Sequence, residues 1–300
     1  MGYFRLNALV LTAEIAAFTI MFREALEAAL VISIISTYLA KIGRKEQIKY
    51  LWYGTIIAIV ASLALGGSIL VIYSTLSGIA EEIFEGVTSL IAAGVLTFMI
   101  VWMAKNARSL KKEIQQRIDS TLTGRQIFGI ASLAFIVVFR EGLETVLFLT
   151  ALVITDPTGS IIGISAGLVS VSVLAILIWK GAYRLDVRKF FKVTSIVLVI
   201  FAAGLTAFGI HELNEAGVIP GVIEPLWDLN PAVIEGEPYP LLHERGTVGL
   251  VLKSLVGYNG NPSLTEVTGY LIYWLVVGAF LLKTYAFPQI SRARDEKLNS

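Results

Sequence analysis

Two stretches of the chain carry the same charged pattern: residues 22–30 read FREALEAAL and residues 139–148 read FREGLETVLF. Both contain Arg-Glu-x-Leu-Glu, and each lies near the middle of an apolar segment, 10–40 for the first and 127–154 for the second. An ionisable side chain at the centre of a bilayer costs about 2.5–3.5 kcal/mol on insertion scales. Charged residues at this depth therefore indicate a functional site.

Five further apolar segments accompany these two. A bilayer core needs about 20 apolar residues per helix, and the five segments that meet this length are residues 51–76, 83–104, 160–180, 193–214 and 266–287. The whole chain of 300 residues is 56% hydrophobic and only 16% charged, with a mean hydropathy of +0.75. A soluble fold of this size cannot bury so much apolar sequence. We therefore predict an all-α polytopic membrane protein with seven transmembrane helices, which excludes a soluble enzyme.

The basic residues predict how these helices are oriented. Nineteen of the 24 Lys and Arg residues lie in the segments that follow spans 1, 3, 5 and 7 or, as Lys180 and Lys283 do, near the end of such a span. Because cytoplasmic loops are enriched in Lys and Arg, the N-terminus is predicted outside and the C-terminus inside. Spans 1–3 and spans 4–6 each open with the motif helix, and an odd number of crossings reverses the second set. This pattern predicts a 3+3 inverted repeat plus one extra helix.

The same reading gives one transmembrane domain over residues 1–300. The first three-helix repeat covers residues 1–104 and the second covers 127–214. An extracytoplasmic loop follows at 215–265, and the seventh helix is at 266–287. The loop holds six of the eight prolines, which favours turns and extended backbone. Its apolar part, residues 246–258, is too short to span a bilayer and is predicted to be interfacial or re-entrant.

Helix geometry places the charged residues of each motif on one face. Residues three or four apart are neighbours on a helix, so Glu24 and Glu27 point the same way and Arg23 reaches Glu27. The second motif repeats this arrangement with Arg140, Glu141 and Glu144. If the two motifs face each other, four carboxylates oppose two guanidinium groups, and a hard cation would complete the neutralisation. The alternative is that each Arg-Glu pair is only an internal ion pair, which lowers the cost of burying its charges in lipid. Helix packing alone, however, does not require the same five-residue pattern twice.

Two further acidic groups lie where helices end on the predicted outer side. Glu81 and Glu85 are spaced i,i+4 in EEIFEG, and so are His211 and Glu215 in HELNEAG. This spacing lets two side chains hold one ion, so we predict metal-relay sites here. Solvated helix ends are the alternative. HELNE lacks the second His of the zinc-protease pattern, which excludes that chemistry.

Composition excludes several other classes. The chain has no Cys, two His and four Met residues, which leaves few ligands for iron–sulfur, haem or copper sites. A net charge of +1 offers no basic surface for nucleic acid. No catalytic residue, cofactor-binding residue or organic cofactor is predicted.

With these motifs in place, the chain resembles the oxidase-dependent iron permease family, also called the high-affinity iron permeases, in a form that looks prokaryotic. The doubled Arg-Glu-x-x-Glu pattern is the most specific element, and FEG at 84–86 and LWDL at 226–229 are similar to shorter family motifs. The resemblance implies that the four motif glutamates handle iron and that the two motif arginines are their charge partners. Ala25 replaces the glycine of the fuller motif.

The predicted function is accordingly an iron-ion permease, a multi-pass protein of the cytoplasmic membrane and not an enzyme. Iron, as Fe³⁺ or Fe²⁺, would be the substrate, and oxygen-only ligands favour Fe³⁺ intrinsically. A permease for manganese or lead is one alternative, and a membrane redox enzyme or its anchor subunit is another. Predicted partners are the lipid bilayer and iron ions. The sequence leaves open a ferroxidase or extracytoplasmic iron-delivery protein, and a homo-oligomer.

Overall fold

The computed structural model of the protein describes residues 2–106, 114–116, 118–119, 129–155, 157–179, 187–231, 239–244 and 246–285. Over these ranges the regular secondary structure is entirely helical, without a β-strand. In a bilayer, a helix satisfies its backbone hydrogen bonds within one segment, which is why long apolar segments take this form. Most of the basic segments after spans 3, 5 and 7, on which the predicted orientation depends, lie outside the described residues.

Eight α-helices are present in the described part of the chain. They are α1 (Gly2–Lys41), α2 (Ile48–Tyr73), α3 (Ile79–Asn106), α4 (Gly129–Thr155), α5 (Pro157–Trp179), α6 (Val187–Glu215), α7 (Thr247–Val256) and α8 (Leu264–Tyr285). One 3-10 turn, Lys45–Gln47, precedes α2. Each predicted span coincides with one helix, although α1 begins at Gly2 rather than at residue 10. The 10-residue α7 lies within the segment predicted to be too short to span.

Five of these helices are long and apolar enough to cross a membrane: α2 with its preceding turn, α3, α5, α6 and α8. The most apolar windows of α2, α5 and α8 are only 17%, 22% and 11% buried within the protein, whereas that of α6 is 61% buried. The exposed apolar faces are suited to contact with lipid. The helices α1 and α4 have 40 and 27 residues, but the charged motifs interrupt their apolar character. The architecture is that of a polytopic membrane protein.

The chain divides into two compact units. The first, which we call the motif unit, comprises Val10–Leu76 and Asn106–Thr194, and therefore α1 from Val10 onward, α2, α4 and α5. The second, which we call the loop unit, comprises Met1–Leu9, Ser77–Lys105 and Ser195–Ser300. Both charged motifs lie in the motif unit. Each unit takes helices from both predicted repeats.

Small residues bring the helices of the motif unit together. A Cβ atom on Gly54 of α2 would overlap the carbonyl oxygen of Ala131 on α4, and one on Gly163 of α5 would lie 2.9 Å from Cβ of Ala17 on α1. Glycine permits such close approach because it has no side chain. Nearby, α1, α2 and α4 share a buried apolar cluster with Ile114 and Ile118, which lie between α3 and α4 in the chain. Its members on the three helices are Val31, Ile35, Leu39, Leu51, Ile130 and Ala134. The motif helices are thereby held against each other.

In the loop unit, α3 and α6 cross at Gly86 and Gly209. A Cβ on Gly86 would lie 2.7 Å from Cγ of Leu213, and a Cβ on Gly209 would lie 2.8 Å from Cγ of Leu90. The helix α8 joins this pair through Tyr273, whose hydroxyl lies 3.0 Å from the Thr97 hydroxyl on α3. These contacts bring the acidic ends of α3, α6 and α8 into one unit.

Candidate metal centre

On α1, the charged side chains of the first motif are sealed inside the motif unit. Arg23 is fully buried and Glu24 is 1% exposed. Nε of Arg23 lies 3.2 Å from Oε1 of Glu27, one turn along the helix, and Nη1 lies 3.8 Å from Oε1 of Glu24. A buried guanidinium group is therefore paired with both carboxylates of its own motif.

On α4, the second motif repeats the pairing in a more open setting. Nε of Arg140 donates a hydrogen bond of 2.9 Å to Oε1 of Glu144. The Arg140 side chain is nevertheless 47% exposed, while Glu141 is buried. The two motifs share a sequence pattern but not an environment.

Three carboxylates from the two helices converge. One oxygen from each of Glu24, Glu141 and Glu144 lies within 4.8 Å of the others, and we call this group the carboxylate triad. Within the described ranges it is the one group of three or more His, Asp or Glu side chains with this geometry. Glu27 is not a member of the triad. Its Oε1 lies 3.2 Å from Nε of Arg23, and it interacts electrostatically with Glu141 and Glu144. The structure thus brings three of the four predicted glutamates to one point and places the fourth beside them.

Several carboxylate oxygens of the triad have no hydrogen-bond partner among the described residues. Both carboxylate oxygens of Glu24, Oε2 of Glu141 and Oε2 of Glu144 are buried and accept no hydrogen bond from any described residue. Burying a charged oxygen without a partner is costly. A hard cation binds oxygen ligands at about 2.0–2.6 Å, which sets opposite ligands about 4–5 Å apart. The spacing and the missing interactions of the triad both fit such an ion.

A second polar group lies in the loop unit, around His211. Its Nε2 is 3.3 Å from Oε1 of Glu215, and its Nδ1 is 3.4 Å from Oε2 of Glu266. The amide of Asn259 donates a hydrogen bond of 2.9 Å to that same Glu266 oxygen. The two carboxylates contact opposite ring nitrogens, so the imidazole bridges them and the three groups do not converge on one point. The predicted pair of His211 and Glu215 is therefore in contact and extended by Glu266.

The other predicted outer pair lies on the first turns of α3. Glu81 and Glu85 are partly buried there, and Glu85 interacts electrostatically with Glu212 of α6. The acidic ends of α3 and α6 are therefore neighbours within the loop unit. All four predicted outer residues lie in this unit.

Glu266 and Asn259 were not singled out as site residues from the sequence. The pattern Ser263-x-x-Glu266 marks a helix start, and the amide N–H of Glu266 does donate to the Ser263 hydroxyl at 3.1 Å. In a full capping box the Glu side chain would turn back to the helix terminus, whereas here it meets His211 and Asn259. This long-range contact has no signal in the local sequence.

Long apolar helices and a carboxylate triad with oxygens that lack hydrogen-bond partners among the described residues define a polytopic membrane protein with a candidate cation site. Comparison with known families identifies the family to which the chain belongs. The chain belongs to the iron permease FTR1 family, whose model matches residues 14–294.

Individual relatives agree with this assignment. The chain is 36% identical to the ferrous iron permease EfeU of Yersinia pestis over 259 residues, which cover 85% of this chain and 89% of the relative. It is 34% identical to EfeU of Escherichia coli over 284 residues, 92% of this chain and 98% of the relative. An uncharacterized protein of Archaeoglobus fulgidus is 37% identical over 266 residues, 89% of this chain and 94% of the relative. No solved structure matches the chain.

Family membership confirms several predictions. The protein is a multi-pass transporter of the cell membrane and not an enzyme, and iron transport is the function that its family supports. The alternative of a membrane redox enzyme or anchor subunit is therefore not retained.

Proposed function

We propose that the protein moves iron ions across the cytoplasmic membrane through the carboxylate triad, the midplane site of the two Arg-Glu-x-Leu-Glu motifs. The observation that carries this proposal is the convergence of Glu24, Glu141 and Glu144 within 4.8 Å, with buried oxygens that lack hydrogen-bond partners among the described residues. Three oxygen ligands from two helices bind a hard cation by charge and by geometry.

The residues of the two motifs take different parts in this proposal. The three triad glutamates are the direct ligands. Glu27, beside them and paired with Arg23 at 3.2 Å, is a fourth carboxylate that joins the ion during transfer. Arg23 and Arg140 are charge partners that limit repulsion among the carboxylates when no cation is bound.

The predicted topology of seven spans, with the N-terminus outside and the C-terminus inside, is part of the proposal. Crosswise packing in the motif unit supports its inverted repeat. Gly54 of α2 packs on Ala131, nine residues before Arg140, and Gly163 of α5 packs on Glu14, nine residues before Arg23. Equivalent helices of the two repeats thus make equivalent contacts, as expected for transporters built from inverted repeats.

The outer groups are proposed as relay sites on the way to the triad. Glu81 and Glu85 on α3, and His211 and Glu215 on α6, combine carboxylate and imidazole ligands in one unit. A negative surface raises the local cation concentration. Iron delivered by a ferroxidase or an extracytoplasmic carrier protein would arrive here. A homo-oligomer is compatible with this scheme.

The oxidation state of the iron is a separate question. Relatives are named ferrous iron permeases, and we propose Fe²⁺ as a substrate on that similarity. An all-oxygen site also suits Fe³⁺, Mn²⁺ and Pb²⁺. Competition by each of these ions against radioactive Fe²⁺ uptake would rank them. Stronger competition by Mn²⁺ than by unlabelled Fe²⁺ would favour the manganese alternative.

Uptake by purified protein in liposomes tests the proposal directly. We expect the Ala variants of Glu24, Glu141 and Glu144 each to lose radioactive iron uptake while still inserting into the membrane. E46A is the matched control, because Glu46 is an exposed carboxylate on the turn before α2. Wild-type uptake by the three triad variants would refute the site, and equal loss in E46A would show that the assay reports general damage.

A further inference from the structure

The two motifs differ at their central small residue, which is Ala25 on α1 and Gly142 on α4. Gly142 lies inside a regular helix and does not have a positive φ. Gly is also a weaker helix former than Ala. Backbone conformation therefore gives no reason for glycine here, and the reason must lie in what packs against it.

The neighbour of Gly142 is Ser62 on α2. A Cβ on Gly142 would lie 2.7 Å from Cβ of Ser62 and would overlap its hydroxyl oxygen. Unbonded carbon atoms are normally about 3.5–4.0 Å apart. Ser62 is buried, and its hydroxyl donates a hydrogen bond of 2.9 Å to the Ala58 carbonyl oxygen, which fixes its rotamer. The serine side chain therefore fills the space that an alanine methyl group would need.

Ser62 belongs to a regular contact between α2 and α4. Small residues recur every four positions along α2, at Gly54, Ala58, Ser62 and Gly66. A Cβ on Gly66 would lie 3.3 Å from a methyl group of Val146, one turn beyond Gly142. Such spacing lets two membrane helices approach closely and fixes their register. This row of small residues on α2 contacts the second motif where Ser62 packs against Gly142.

We infer that Ser62 and Gly142 are positioning residues, whose contact sets the place of α4 so that Glu141 and Glu144 meet Glu24. This inference rests on the proposed carboxylate site. Glu141 is the direct neighbour of Gly142, and Glu144 lies within the same turn. Ligand groups must be held within about 0.5 Å to bind well, so a forced separation of α2 and α4 spoils the triad. Ala25, at the equivalent position of α1, is only partly buried and carries the methyl group that Ser62 obstructs at Gly142.

The test is a set of exchanges between glycine and alanine in the two motifs. We expect G142A to raise the half-saturating Fe²⁺ concentration for liposome uptake at least tenfold, and to weaken Mn²⁺ binding, followed by electron paramagnetic resonance in detergent, by a similar factor. A25G makes the opposite exchange at the equivalent position of α1. It should stay within about twofold of wild type in both measurements.

A compensating substitution separates positioning from general damage. S62G removes the obstructing atoms, so S62G/G142A should recover both uptake and Mn²⁺ binding to within about threefold of S62G alone. If G142A alone fails to insert into the membrane, the comparison of S62G/G142A with S62G still tests the positioning role. Wild-type behaviour of G142A, or a double variant that stays impaired while S62G transports, would overturn the inference. If E24A and E141A transport normally, the carboxylate site itself is wrong; if they fail and G142A does not, only the positioning role is wrong.

Discussion

Two carboxylate sites in this protein, the half-buried Glu244 and the carboxylate triad, differ in how far hydrogen bonds from the protein satisfy them. In the loop unit, Oε1 of Glu244 accepts hydrogen bonds of 3.0 Å from Asn230 and from the Gly260 amide, and Oε2 accepts one of 2.8 Å from Lys253. In the carboxylate triad, four buried oxygens accept no hydrogen bond from any described residue. Glu244 is therefore fully bound by the protein, whereas the triad is not.

Under the proposed function, this difference separates a structural carboxylate, Glu244, from the metal-binding carboxylates of the triad. Glu244 links three parts of the chain, at Asn230, Lys253 and Gly260, and both of its carboxylate oxygens accept hydrogen bonds from them. Four buried oxygens of the triad have no such hydrogen-bond donors among the described residues, and under the proposed function this favours binding of a cation. We expect substitutions in the two places to affect different measurements.

The largest expected effect is on transport. E24A and E141A should lower iron uptake at least a hundredfold, because each removes a proposed ligand. Thermal unfolding of E141A in detergent should shift little or upward, because a buried oxygen without a hydrogen-bond partner among the described residues is lost. E244A should keep uptake within about threefold at 20 °C. If E244A abolished uptake in well-folded protein, the separation of the two sites would fail.

The next effect concerns the two arginines. R23A leaves buried carboxylates uncompensated and should reduce the free energy of unfolding by about 3–5 kcal/mol. R140A should cost less than R23A, because the Arg140 side chain is 47% exposed whereas Arg23 is fully buried. Thermal unfolding of both variants in the same detergent measures the difference. Equal destabilisation would mean that the burial seen on α1 does not matter to stability.

A smaller loss of stability is expected in the loop. E244A removes three hydrogen bonds to a charged group and should cost about 2–3 kcal/mol. Limited proteolysis of the segment 216–246 in wild type and E244A would show whether the loop opens locally. E224A is a suitable control, since Glu224 is exposed on the same loop. Faster cleavage in E224A than in E244A would contradict the role given to Glu244.

The smallest effect is on pH dependence. Burial acts to raise the pKa of Glu244, but the hydrogen bond and charge of Lys253 outweigh it and hold the pKa below its usual 4.5. A lowered folded pKa stabilises the protein above the unfolded value, and this contribution disappears as pH falls through the folded pKa. The thermal advantage of wild type over E244Q, about 1 kcal/mol, should be constant from pH 7 to 5 and shrink below 4.5. An advantage unchanged at pH 3 would contradict this assignment.

Much of the fold could be predicted from local sequence. Apolar segments of membrane length gave the seven long helices to within a few residues, apart from the start of α1, because a helix in lipid forms from its own backbone hydrogen bonds. The apolar segment 246–258, predicted to be too short to span a bilayer, contains the 10-residue α7. The family was predicted from the paired motifs and is confirmed by the match over residues 14–294. These features depend on residues that are close in the chain.

Other features depended on contacts between distant segments. Helical spacing places Glu24 and Glu27 on the same face of α1. In the structure, however, Glu24 is part of the triad, whereas Glu27 lies outside it and pairs with Arg23. The sequence also gave no sign that Glu266 would meet His211. Such choices follow from how neighbouring helices pack around each side chain.

The sequence by itself determined that this chain is a helical membrane protein of the iron permease family with two charged motifs. Hydropathy, helical periodicity and the motifs all depend on residues that are close together in the chain. Only the tertiary structure decided which carboxylates converge, why one motif arginine is sealed while the other is half exposed, and why Gly142 must lack a side chain. Those outcomes depend on the approach of α2 to α4 and of α1 to α4, and the distances between helices are set by side chains far apart in the sequence.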